Sequence, residues 1–210
     1  MRVQHGSMAT VRPASTHPDR LGGTDGNEVL TSVTAAVLTV LLAVEGVTII
    51  QMHGLVSVHM FVGMVLIPPV VLKLASTGYR FARYYTGSPP YRQKGPPLLP
   101  LRLLAPILVA ATVGVFATGV WLLAVGHKAD PALFLHKLSF IVFGVVFVVH
   151  FLSYLPRVIR SLRADWAAAR RRAVPGAGLR AMLVAASLGG GLALALALLS
   201  AINGWHAHHG

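Results

Sequence analysis

"LHKLSFIVFGVVFVVH" (residues 135–150) is apolar apart from Ser139, Lys137 and a histidine near each end. The run extends over roughly 133–155 and has four counterparts, at roughly 30–50, 55–75, 101–125 and 179–202. Each is close to the ~20 residues that a helix, rising ~1.5 Å per residue, needs to cross a hydrocarbon core of ~30 Å. Inside lipid the backbone must satisfy its own hydrogen bonds, so only helices or closed barrels can span it. Continuous rather than alternating apolar runs select helices. The expected fold is therefore all-α, a polytopic membrane bundle of five transmembrane helices, with helices 1–4 as its core and a fifth at the periphery.

Composition agrees. Of 210 residues, 55% are hydrophobic and 11% charged, and the mean hydropathy is +0.68. A soluble domain carries about 25% charged residues. The net charge of +12 is concentrated in a few segments. The connection 76–102 holds Arg80, Arg83, Arg92, Lys94 and Arg102 with no acid, and 156–180 holds seven arginines against Asp165 alone. The leader adds Arg2, Arg12 and Arg20, whereas 51–54 and the tail after 202 have no Lys or Arg. The positive-inside rule then puts the N-terminus and both basic loops in the cytoplasm and the C-terminus outside. The basic excess reports topology in a bacterial cell membrane and a grip on anionic lipid, rather than nucleic-acid binding, for which no reading motif is present.

Five segments follow. Residues 1–28 read as a disordered cytoplasmic leader, with Met8 an alternative start to Met1, and 29–155 as the four-helix core. Residues 156–178 read as a basic cytoplasmic connection ended by Pro175 and Gly176, 179–202 as a small-residue fifth helix, and 203–210 as a His-rich external tail. The first apolar run has no cleavage-site pattern after it and reads as a retained helix. Pro68 and Pro69 are expected to break helix 2. With no cysteine in the chain, disulfides, iron–sulfur clusters and covalently attached haem are excluded.

Histidine placement is the most informative remaining signal. His59 and His136 each lie about four residues into helices 2 and 4, which run the same way, so both sit at one depth, roughly 6 Å from the outer boundary. An ionisable side chain inside lipid is costly and marks function. Two imidazoles at one level on facing helices can ligate one haem iron from opposite faces. The fourteen-residue step from His136 to His150 is about 40° short of four turns, which puts both on one face about 21 Å apart. Phe140, Phe143 and Phe147 lie on that face between them. The same step from His59 reaches Lys73, and Gly63, one turn beyond His59, leaves room for a flat macrocycle.

This pattern of His59, His136 and His150 resembles the membrane-bound cytochrome b family, over roughly residues 35–155. In that family two parallel helices each carry a histidine pair at about this spacing. The resemblance implies haem b held by His59 and His136 near the outer face, with His150 available to a second haem near the inner face. The chain departs from the family at Lys73, which stands where a fourth histidine belongs; Lys73 or Met182 would have to partner His150. Near the inner boundary Lys73 reads first as snorkelling to headgroups, with ligation or propionate pairing as the alternative. The stretch "LKLASTGYRFARYYTGSPPYRQKGPP" (72–97) also resembles a family of small bacterial integral membrane proteins of unknown function.

Glu45, the one acid within a span, is level with His59 and His136 and can fix a ligand tautomer or move a proton. Trp121 reads as an interfacial anchor. His53, His127, His206, His208 and His209 fall outside the bilayer, the last three in a solvated tail or a metal-capturing peptide. The expected function is electron transfer through haem, serving a quinol or an external redox protein. No motif supports a stand-alone enzyme. The alternative is a cofactor-free protein, either a proton-coupled carrier using Glu45 and the histidines or a scaffold subunit of a membrane complex.

Overall fold

A computed structural model describes residues 21–95, 99–126, 130–168 and 174–207. Most of the leader, His127, Lys128, the arginines 170–172, and His208 and His209 lie outside the described residues. Among the described residues the only regular elements are helices: α1 (Gly23–Ile50), α2 (Met52–Tyr85), α3 (Pro89–Gln93), α4 (Leu99–Val125), α5 (Asp130–Ala168), α6 (Ala177–Ala197) and α7 (Leu199–Ala207). Five stretches are long and apolar enough to cross a membrane: Gly23–Ile50, Met52–Tyr85, Leu101–Val125, Pro131–Ser153 and Ala177–Ala197. Large apolar side chains cover their outer faces, with Val40, Leu103 and Val145 each more than 60% exposed. Such a surface matches a lipid environment.

Two hairpins and an added helix make up the bundle. α1 packs along α2, and α4 along α5. α6 packs on α2 almost as extensively as α1 does, so it is not peripheral. α2 meets α4 only sparsely, and the backbones of α2 and α5 make few close approaches.

The expected break at Pro68 and Pro69 does not occur. α2 runs through both, and its one non-helical residue is Leu55 (φ −123°, ψ 17°), in the turn after Gln51. Prolines are tolerated in membrane helices where a neighbouring element covers the carbonyls they leave unserved. Pro69 has no N–H to offer the carbonyl of Val65, four residues back. The α6 backbone meets that same carbonyl: a Cβ on Gly191 would stand 2.3 Å from the Val65 oxygen. Glycine is therefore required at 191, and the proline and the glycine account for each other across the interface.

Other boundaries also move. α1 begins at Gly23, inside the expected leader, because Asn27 is buried and its amide donates to the Ser76 carbonyl at 3.2 Å. Asp25 lies in the first turn, where a negative charge complements the helix dipole. The basic connection is not a separate helix at its start: α5 continues unbroken to Ala168. The tail is not free from residue 203, since α7 continues to Ala207 and the Trp205 indole donates to the Leu122 carbonyl at 3.3 Å.

The ends of α1 and α6 are held together by Arg180, which is 6% exposed. Its guanidinium donates to the carbonyls of Leu21 (2.9 Å), Pro175 (2.6 Å) and Val174 (3.1 Å). The left-handed Gly22 (φ 83°) sits in this junction, where a Cβ would lie 2.6 Å from the Pro175 oxygen. Nearby, Lys94 bonds both Asp25 (2.9 Å) and Glu28 (2.6 Å). Burial alone would lower the Lys94 pKa, but the hydrogen bonds and charges of the two carboxylates outweigh it and raise the value above 10.5.

Candidate functional site

The fold brings His59 of α2 and His136 of α5 together, their ring centroids 6.3 Å apart and their planes at 75°. The backbones of these helices stand apart, so it is the side chains that meet across the space between the hairpins.

Each imidazole is held by its Nδ1. For His59, the partners are Glu45 Oε1 at 2.9 Å and the Thr48 hydroxyl at 3.1 Å. The Thr48 hydroxyl proton is spent on the Glu45 backbone carbonyl at 2.7 Å, which leaves its lone pairs toward the ring. A carboxylate and a spent hydroxyl only accept, so His59 Nδ1 carries the proton. The pair is shielded, with side-chain exposures of 20% for His59 and 12% for Glu45. His136 repeats the arrangement with a neutral partner. Its Nδ1 lies 3.1 Å from the Val115 carbonyl and 3.2 Å from Thr118, whose own proton goes to the Gly114 carbonyl at 2.6 Å. His136 Nδ1 is therefore also the protonated nitrogen.

Both histidines thus share one tautomer, each with an Nε2 lone pair left to act as ligand or proton acceptor. Hydrogen bonding of Nδ1 to a carboxylate or carbonyl is the usual way a metal-ligating histidine is oriented and made more basic. Backbone space is fitted to the rings: a Cβ at Gly119 would stand 3.1 Å from His136 Cε1. Gly63 adjoins the Glu45 carboxylate, with a Cβ there 3.6 Å from Oε1.

A second polar group lies at the opposite end of α1 and α2. The Lys73 amine donates to the Thr31 carbonyl at 2.9 Å instead of extending away along the helix. Thr31 and Ser76 join hydroxyls at 3.2 Å, and Ser76 donates to the Lys73 carbonyl at 3.0 Å. His150 of α5 is half-buried. Phe143, Phe147 and Phe151 stack in a ladder along α5 with centroid spacings of 5.4 and 5.7 Å, while Phe140 is partly exposed. Met182, considered as a partner for His150, is 59% exposed on α6, which packs on α2 and α1 rather than on α5.

A cavity of about 220 Å³ between α2 and α7 is lined by Ser57, Val58, Phe61, Leu199, Ile202 and Asn203. At about 100° per residue its α2 positions turn away from His59, so it is separate from the histidine pair. Trp121, three residues beyond Thr118 on α4, is 43% exposed.

Thr48, Thr118, Val115 and Gly119 are the site residues that sequence reading missed. The threonines had a signal, because they are hydroxyls in apolar helices close to Glu45 and Trp121. A backbone carbonyl such as that of Val115 has none. No cluster of three or more His, Cys, Asp or Glu side chains able to hold a bare metal ion occurs among the described residues. The chain matches no protein-family model, no curated protein and no solved structure.

Proposed function

We propose that the protein is an integral membrane b-type cytochrome of the bacterial cell membrane, in which His59 and His136 would hold one haem b. The observation that carries this reading is the pair of like tautomers with their Nε2 lone pairs available and centroids 6.3 Å apart. Two imidazoles that share one metal through nitrogens at about 2 Å have centroids about 6 Å apart. Ring planes rotate freely about such an axis, so the 75° angle is compatible with it. A bare ion needs three or four protein ligands, whereas a haem brings four nitrogens and asks the protein for two. The sparse packing between α2 and α5 supports a flat group between the hairpins.

Bound haem would supply one-electron chemistry; the protein supplies position and electrostatics. Glu45 and Thr48 orient His59 and place a negative charge behind it. Val115 and Thr118 orient His136, and Gly119 leaves room for its ring. The basic loops put this pair toward the external face, where a quinol or external redox protein is the fitting partner. The position fourteen residues after His59 is Lys73, whose amine is committed to Thr31, and the reading is for one haem.

The test is a dithionite-reduced-minus-oxidised spectrum of membranes and of purified protein from haem-replete cells. Soret and alpha bands at one haem per chain are expected, and they should be abolished in His59→Ala and His136→Ala. Colourless protein that retains its helical content would overturn the proposal.

A further inference from the structure

Lys73 is an ammonium in a membrane helix, and none of the described side chains forms an ion pair with it. The next cation on its face of α2 is Arg80, two turns on. The acids nearest in sequence to its Thr31 partner, Asp25 and Glu28, are both bound by Lys94 at 2.9 and 2.6 Å. A charge in or beside lipid is tolerated where something pairs with it, so this end of the molecule calls for an anion from outside the chain.

Depth and donor supply identify that anion. With His59 about 6 Å inside one boundary, Lys73, fourteen residues and about 21 Å further along α2, stands about 3 Å short of the other boundary, within a side chain's reach of its headgroups. An ammonium has three donors, and the Thr31 carbonyl takes one. The buried Asn27–Ser76–Thr31 network holds α1 against α2 there, so the amine is braced rather than swinging.

We propose that Lys73, together with Arg80 two turns on along α2, forms a binding site for the phosphate of an anionic phospholipid of the inner leaflet, phosphatidylglycerol in class. The site does not depend on haem at the other end of the bundle. It assigns Lys73 to a lipid headgroup instead of to a second iron.

The experiment uses the full chain in detergent micelles doped with phosphatidylglycerol or phosphatidylcholine, and measures retained lipid by native mass spectrometry. Wild type should retain phosphatidylglycerol preferentially. K73Q should weaken that retention about fivefold, the factor one basic residue contributes near an anionic headgroup, and K73R should restore it. R83Q is the control and should change nothing, since Arg83 is exposed and bonded to Ser88 at 3.2 Å. Should K73Q fail to fold by circular dichroism, R80Q carries the same expectation from an exposed position. Three results would overturn the site: no preference for phosphatidylglycerol; undiminished retention in K73Q or, where that variant does not fold, in R80Q; or a second haem per chain lost in H150A. Displacement of the lipid by inorganic phosphate at equal concentration would likewise refute a lipid source. Retention is measured with and without haem, so failure of the haem reading does not decide this one.

Discussion

Replacing Glu45 by glutamine removes a charge from behind His59 while keeping an acceptor oxygen in nearly the same place. In the native protein the imidazole Nδ1–H is 2.9 Å from the carboxylate, and both groups are largely shielded. A hydrogen bond to a charged group contributes about 1.5–3 kcal/mol and one between neutral groups about 0.5–1.5, so the exchange is worth about 1–1.5 kcal/mol. At the proposed haem site the carboxylate would favour the more positive, oxidised iron by making His59 a stronger donor. Its loss should therefore raise the haem midpoint potential. At 59 mV per tenfold change for one electron, the rise is at most about 40–65 mV, the limit in which only the oxidised state feels the difference. Potentiometric titration of purified protein, followed at the alpha band, measures it. Thr48→Val, which keeps the carboxylate, should move the potential less. An unchanged or lowered potential in Glu45→Gln, with haem fully bound and helical content intact, would show that Glu45 does not act on the ligand.

Three further outcomes follow from the packing. Gly191→Ala drives a Cβ to 2.3 Å from the Val65 carbonyl and should cost about 2 kcal/mol, lowering the thermal midpoint by about 4–8 °C. Gly189→Ala, where nothing lies within 4 Å of the added Cβ, should be neutral or stabilising in the same melt; equal losses at both positions would refute the proline–glycine pairing. Gly119→Ala presses on His136 Cε1 from 3.1 Å, and haem titration should show affinity reduced about fivefold, for about 1 kcal/mol of overpacking. Lys94 has a folded-state pKa above 10.5, so its contribution is present below that pH and disappears as pH rises through the folded value. The group is partly exposed and screened, so the difference between wild type and Lys94→Met should be at most about 0.5 kcal/mol near neutrality and should shrink in alkali. A difference independent of pH would contradict the ion-pair account.

Much of this protein was legible in one dimension. Apolar length is a property of the local sequence, and the five runs reappear as five helices long and apolar enough to span. The level placement of His59 and His136 followed from counting residues along parallel helices, because helical rise is nearly constant. Glu45 followed from the same count, and the fold puts it on His59.

What the count could not supply was which surfaces meet. Pro68 and Pro69 forecast a broken helix, because local propensity knows nothing of a second backbone; the approach of Gly191 to Val65 is a contact across more than a hundred residues. Helix 5 read as peripheral because it has no ionisable interior residue, yet small residues are what allow it to seat against α2. Thr31, whose carbonyl takes the Lys73 amine, is likewise a partner that no count along the chain supplies. The tautomers of the two histidines depend on Glu45, Thr48, Val115 and Thr118, one of which acts only through its backbone. Helix formation satisfies a chain's own hydrogen bonds and can be read along it. Side-chain partners are chosen by interhelical packing, which only the tertiary structure decides.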